Sequence, residues 1–178
     1  MSVDDGRKRI GVHPFASFSA PDQARRLRGR LAAPVTVWTT YGEDGAAAGI
    51  TVSSILVAEG EAPAVLGLVG PLTDFWEAAR WSKRFVVHVL GSESVRVADQ
   101  FAQRYPGDPF EGLAVSSSGW GPVLTDVATR ADCSLAGFLE VGYQILVRGQ
   151  PVDMTMPEDG PPALVHYRGR YMTVAARR

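Results

Sequence analysis

Asparagine is missing from this chain of 178 residues, and lysine occurs only as Lys8 and Lys83, against many arginines. That bias reads as genome composition and carries no function. Cysteine occurs once, as Cys133, which excludes an intramolecular disulfide and a cysteine-rich zinc site. The three histidines, His13, His88 and His166, stand far apart with no metal-ligand spacing, so no bound metal is expected. No apolar run approaches the roughly 18 residues that a membrane helix needs. The first ten residues are charged and polar, without the apolar centre of a signal peptide. An excess of one charge is also lacking: the formal net charge is -1 and the pI is near 6.3. A dedicated nucleic-acid binder needs a basic excess to meet phosphates. Neither nucleic acid nor membrane is therefore expected as a partner, and the cytoplasm is the expected location.

What remains is a chain with 46% hydrophobic and 21% charged residues, enough to build a sizeable core. Residues 1–18 read as an irregular arm and residues 19–178 as a single domain. Ser19 reads as a helix N-cap, with Pro21 and Asp22 in the first turn, and the helix runs to about residue 31. It carries the Arg25-Arg26-Leu27-Arg28-Gly29-Arg30 cluster, read as a solvated face. Strands are expected over residues 35–40, 46–55, 64–69 and 85–90, the first two forming a hairpin. Thr73 caps a helix, and Ser92 caps another. Residues 105–122 are loop-rich, and strands resume over residues 131–140, 143–149, 163–167 and 171–175. Cys133 reads as a small buried hydrophobe. Strands outnumber helices and short turns join most of them. The expected fold class is mainly β with flanking helices (α+β), an antiparallel barrel with helices on its outside.

The usual signatures of chemistry are absent. No G-x-G-x-x-G follows a strand, no phosphate loop ends in Gly-Lys-Ser/Thr, and no G-x-S-x-G elbow is present. An enzyme without acid, base or metal signatures works when a cofactor carries the chemistry, so no catalytic side chain is named. The segment Gly49-Ile50-Thr51-Val52-Ser53-Ser54 is the most informative stretch. It reads as a strand with small and hydroxylated residues where a core strand would carry larger ones. Such a strand lets a flat ligand reach the backbone. The plainer reading is that Ser53 and Ser54 hydrogen-bond within the sheet.

Two further segments follow in order: Arg84-Phe85-Val86-Val87-His88-Val89-Leu90, and Pro162-Ala163-Leu164-Val165-His166-Tyr167-Arg168-Gly169-Arg170-Tyr171. With Pro34-Val35-Thr36-Val37 and Gly121-Pro122-Val123-Leu124, they resemble the flavin reductase-like family, the FMN-binding split barrels. The resemblance implies a split β-barrel, a homodimer, and FMN or FAD near the subunit interface. It also implies NADH or NADPH as co-substrate, NAD(P)H-dependent flavin reduction, and a flavin-dependent monooxygenase as partner. By resemblance the cofactor contacts are Gly49, Ile50, Thr51, Val52, Ser53, Ser54, Thr73, Arg84 and His88, although His88 in its apolar strand also reads as a core histidine. Tyr143, Gln144 and His166 are the candidates on the nicotinamide side.

The departures from the family matter. Glu59 and Asp74 are carboxylates where a phosphate is expected nearby, and they oppose it unless arginines such as Arg80 or Arg84 compensate. The turn Gly142-Tyr143-Gln144 replaces the family's Gly-Asp-His. Two alternatives follow: a flavin-binding protein without nicotinamide activity, or a split barrel for another cofactor such as deazaflavin or haem.

Overall fold

The computed structural model describes residues 23–104 and 107–174. The expected arm, residues 1–18, and the helix start at Ser19, Pro21 and Asp22 lie outside these. Helix α1 (Gln23–Arg28) buries none of its side chains. Strands β1 (Ala33–Pro34), β2 (Thr36–Tyr41), β3 (Ala47–Val52), β4 (Ile55–Ala58) and β5 (Ala64–Val69) follow. Helix α2 (Asp74–Ser82) leads to β6 (Arg84–Val89), and a tight turn at Ser92–Ser94 leads to α3 (Val95–Phe101). The chain closes with β7 (Val115–Ser117), β8 (Pro122–Leu124), β9 (Thr129–Val141), β10 (Gln144–Thr155), β11 (Ala163–Tyr167) and β12 (Arg170–Val174).

One topological fact fixes the architecture. The main sheet has seven strands in the order β3-β2-β6-β9-β10-β5-β4, every pair antiparallel. Its two edge strands, β3 and β4, are separated in the chain only by Ser53 and Ser54. Edges that two residues join must lie side by side, because the three Cα–Cα steps between their ends reach at most about 11 Å. The sheet therefore curls almost shut, leaving a seam at Ser53-Ser54, where the Ser54 carbonyl accepts from the Leu68 amide at 3.2 Å. This is a split, antiparallel β-barrel. A three-stranded sheet, β1-β11-β12, and the β7-β8 hairpin lie outside it.

The barrel interior is filled by Trp38, Phe75, Phe85, Val52, Val69, Val87, Cys133 and Val147. Trp38 stacks on Phe85 with centroids 5.0 Å apart, and Phe75 meets both edge-on. The Trp38 indole N–H donates to Thr36 Oγ1 at 3.0 Å, so the buried ring keeps its polar group satisfied. Cys133 sits fully buried here, as expected of a small hydrophobe, and burial followed by the Asp132 charge pushes its thiol up to about 12. A Cβ on Gly67 would fall 2.6 Å from the Trp38 ring. Gly67→Val is expected to cost about 1–3 kcal/mol through overpacking, read as a lowered urea midpoint with an unchanged slope.

A second core lies on the outer side of β2. Val35, Val37, Leu90, Leu124 and Leu164 pack there against Ala98 and Phe101 of α3. The structure departs from the sequence expectations at three places. The strand expected over residues 46–55 breaks at Ser53-Ser54, because the chain crosses the seam there. Ser92 opens only a tight turn, its hydroxyl on Glu93 Oε2 at 3.4 Å, and α3 starts at Val95. The loop-rich stretch 105–122 contains β7 and leads into β8, a hairpin that covers the outer faces of β2 and β6. Short, exposed and serine-rich, β7 gives no hydrophobic alternation to read.

Candidate functional site

The seam opens into a cleft of about 230 Å³. Strand β3 contributes Ile50, Thr51 and Val52, and the seam contributes Ser53 and Ser54. Strand β5 adds Leu68, Val69 and the following Gly70; β10 adds Gln144; β11 and β12 add His166 and Tyr171. Arg28, Val35, Ala102 and Arg104 complete the wall. Seven residues named from sequence thus meet in one place: Ile50, Thr51, Val52, Ser53, Ser54, Gln144 and His166.

Strand β3 is an edge strand, so its backbone is hydrogen-bonded to β2 on one side only. Every second residue turns its N–H and C=O away from β2. Backbone groups at an open edge next to a cleft are available to a ligand. The side chains are less free. Thr51 Oγ1 donates to the Ala98 carbonyl at 2.7 Å, tying β3 to α3. Val52 is turned into the barrel core, and its carbonyl accepts from Thr36 Oγ1 at 2.6 Å. Ser54 Oγ donates to the Leu68 carbonyl at 3.2 Å, the within-sheet bond that is the plainer reading of a strand serine. Ser53 keeps its hydroxyl without a hydrogen-bond partner among the described residues.

The other candidates lie elsewhere. Gly49 does not line the cleft; a Cβ there would fall 2.5 Å from the Phe101 ring. Its small size serves the packing of α3 on β3 and not the approach of a ligand. His88 is wholly buried in the outer core. Its Nδ1 faces the Val37 carbonyl at 3.2 Å, and its Nε2 accepts from the Leu124 amide at 3.1 Å. Both nitrogens are committed, so His88 is the satisfied core histidine and not a cleft residue. Arg84 donates from Nη1 to the Gly119 carbonyl at 3.1 Å and stands over the Trp120 ring, pinning the turn before β8. Thr73 caps α2 as expected, accepting from the Trp76 amide at 3.3 Å and donating to the Gly70 carbonyl at 2.9 Å. It stands behind Gly70 and does not itself line the cleft. Tyr143 is exposed at the tip of the β9–β10 turn.

The electrostatics differ from those the sequence suggested. Glu59 and Asp74 are exposed and off the cleft, and so is Arg80. Among the described residues no carboxylate lines the cleft, while Arg28 and Arg104 both do. Arg104 Nη1 lies 3.1 Å from Asp99 Oδ1, and its guanidinium sits 5.5 Å from the Tyr171 ring centre. His166 meets that ring edge-on with centroids 5.7 Å apart. Partial burial holds His166 below its usual pKa, and the charges of Arg104 and Arg28 lower it further. It is therefore a neutral imidazole at pH 7. Burial also pushes the Tyr171 phenol up, aided by Asp99 and opposed by Arg104.

Sequence reasoning missed Arg28, Arg104 and Tyr171 as cleft residues. Arg28 was legible only as one of a run of arginines on a solvated helix. Its place in the cleft depends on the amide of Arg168, in the β11–β12 turn, donating to the Gly29 carbonyl at 2.8 Å, a contact across 139 positions (168 minus 29). Tyr171 lay within the quoted C-terminal segment, but nothing local sets it apart from Tyr167.

Comparison with known proteins agrees with this geometry. The model of the family described as flavin reductase like domain matches residues 28–175. The reductase subunit HsaB of a flavin-dependent monooxygenase from Rhodococcus jostii is 30% identical over 152 residues, 85% of this chain and 76% of that one. A flavin reductase (NADH) from Kitasatospora aureofaciens is 29% identical over 150 residues, 82% of this chain and 77% of that one. Among solved structures, nitrilotriacetate monooxygenase component B from Mycobacterium thermoresistibile superposes with a TM-score of 0.78 at 28% identity, covering 86% of each chain. With an antiparallel split barrel, a cleft on its seam and a family match over most of its length, this chain belongs to the flavin reductase-like family.

Proposed function

We propose that this protein is an NAD(P)H-dependent flavin reductase acting on FMN or FAD, and that it supplies reduced flavin to a separate flavin-dependent monooxygenase. The observation that carries the reading is the cleft itself, which gathers an open strand edge, an unpartnered hydroxyl and two arginines on a chain of this family. The residues fit the group: Ser53, Gln144 and the free edge of β3 offer hydrogen bonds to a polar ring edge, and among the described residues no carboxylate lines the cleft. A flavin bound there supplies the hydride-accepting chemistry. The chain's own work is to bind, orient and exclude water. Val35, Ile50, Leu68 and Val69 give the cleft its apolar wall, and neutral His166 and Gln144 face the same space without adding charge. The cytoplasm, where nicotinamide nucleotides are abundant, is the place of work.

Steady-state oxidation of NADH and of NADPH with FMN, FAD and riboflavin tests the reading. Turnover well above the enzyme-free rate is expected with at least one pair, and none with any pair would remove it. A second reading rests on Gln144: it lines the cleft, by resemblance it replaces the family's histidine, and a glutamine cannot exchange a proton there. Flavin binding without nicotinamide oxidation would establish that second reading.

The proposal includes a homodimer. A cleft of about 230 Å³ is smaller than the ~300–1,000 Å³ of pockets that enclose a ligand, so one copy covers part of a flavin. An apolar surface runs up to it. Leu139, Leu146 and Leu68 stand in one cross-strand row on the outer face, with Leu66 and Leu56 paired in the neighbouring row. Leu139 is 62% and Leu56 71% exposed, and Leu68 itself lines the cleft. Burying each such side chain contributes about 1.5–3 kcal/mol. Leu139→Glu is expected to convert the dimer to monomer in sedimentation or light scattering, and to weaken flavin binding about tenfold or more. A variant that stays dimeric would place the interface elsewhere.

A further inference from the structure

Strand β10 is held on both sides only as far as Gly149. From Ile145 to Gly149 it pairs with β5 and β9, and beyond that β9 alone holds it. The ladder is also interrupted there. A register shift between Pro151 and Asp153 leaves Val152 as a bulge, and Pro151 has no N–H to donate. The pair that follows the bulge sets two carboxylates face to face: Asp153 stands directly opposite Asp132. Like charges in directly opposed positions destabilise a sheet. Asp132 is only 8% exposed, and its Oδ1 is buried without a hydrogen-bond partner among the described residues. An ionised oxygen left so is costly. The cations nearby do not relieve it. Arg84 and His88 flank Val86, the β6 residue that pairs with Asp132 from the other side. Arg84 is committed to Gly119 and Trp120, and His88 to Val37 and Leu124. Beyond Val86, β2 and β8 bring Thr39 bonded to the Pro122 carbonyl, neither of them charged. Arg130, two residues before Asp132 on β9, makes no side-chain hydrogen bond or ion pair among the described residues. Burial raises the Asp132 carboxyl above its ordinary value; the Arg130 charge opposes this and the Asp153 charge adds to it.

We propose that Asp132 and Asp153 form a proton-operated clasp on the end of β10 that only β9 holds. When both carboxylates are ionised they push the two strands apart beside the bulge. When one proton from solvent joins Asp132, its O–H donates to a carboxylate oxygen of Asp153, and a repelling pair becomes a charge-assisted hydrogen bond. Acid therefore tightens this part of the sheet. The folded chain takes up the proton at a pH where the unfolded chain does not, so the pair adds stability as pH falls through that interval. The clasp is independent of the flavin reductase reading.

The test uses the full chain, with Asp153→Asn and Arg130→Gln as variants; Asp153 is exposed, so its replacement leaves the core intact. Carbon-13 resonances of the aspartate carboxyls, with Asp132 assigned by its loss in Asp132→Asn, give the pH midpoint of Asp132. That midpoint is expected above 3.8 in the wild type and about 0.5 pH units lower in Asp153→Asn. From urea titrations at pH 7.5, the unfolding constant of Asp153→Asn is expected about threefold below that of the wild type, and the gap is expected to close by about pH 4. An Asp132 midpoint that Asp153→Asn leaves unmoved overturns the clasp, and so does an Asp153→Asn protein that unfolds at least as readily as the wild type at pH 7.5. If Arg130→Gln raises the midpoint further than Asp153→Asn lowers it, Arg130 is the partner of the buried carboxylate and the clasp is overturned as well.

Discussion

Tryptophan at position 53 is expected to abolish flavin turnover and leave the barrel standing. Ser53 lies between the two edge strands, half-buried, lining the cleft, with its hydroxyl unused by the sheet. Its neighbour Ser54 has a structural bond to the Leu68 carbonyl, so position 53 is where a side chain can grow without breaking a sheet contact. An indole there occupies much of a cleft of about 230 Å³ and stands where a planar ligand would lie along β3. The expected loss is at least about 100-fold in kcat/KM for flavin, near 3 kcal/mol of binding and transition-state energy. Ser53→Ala makes the contrast, because removing one neutral hydrogen bond costs about 1 kcal/mol and no shape changes. Tm and the far-ultraviolet spectrum of both variants should match the wild type. If Ser53→Trp folds and still reduces flavin at the parent rate, the ligand lies elsewhere on the fold.

How far the sequence foretold this site depends on which contacts are local. The strand character of β2, β5, β6 and β11 follows from β-branched and aromatic runs, and each lies within one residue of its expected bounds. Thr73 announced α2 through its own chemistry, a hydroxyl that bonds three residues ahead. The break after Val52 did not announce itself, since Ser53 and Ser54 suit an unbroken strand as well as a crossing, and only the partner strands decide where a chain changes edges. The same limit governs the site. Ile50 to Ser54 were legible because composition along one strand is a local signal. Arg28 and Arg104 were not, because they meet only after α1, α3 and the three-stranded sheet have packed. Gly49 shows the opposite error. Small size reads alike whether the neighbour is a ligand or, as here, the Phe101 ring.

His88 was legible both as a core histidine and as a cofactor contact, and its true role sets an expected pH dependence. Burial lowers its pKa from 6.5 to about 4; the Arg130 charge adds to the shift, and the Val37 hydrogen bond opposes it. The geometry gives the reason a proton is refused. Nδ1 must carry hydrogen to reach the Val37 carbonyl, and Nε2 must be bare to accept the Leu124 N–H. A second proton on Nε2 would set donor against donor inside a dry core, with β8 pushed from β6. The unfolded chain accepts that proton near pH 6.5, while the folded chain resists it until about pH 4. Stability is therefore full above pH 6.5 and falls as pH drops through this window, by about 3 kcal/mol in all. His88→Gln separates this from carboxylate titration, because an amide can donate to Val37 and accept from Leu124 but takes no proton. The variant is expected to be less stable at pH 7.5 by about 1–2 kcal/mol. Between pH 7.5 and 4.5 it should lose about 2–3 kcal/mol less than the wild type, as read from urea midpoints at each pH. Carboxylates titrate alike in both proteins and cancel in the comparison. Parallel pH curves would mean that His88 is protonated in the folded core, and that the Leu124 amide has another acceptor.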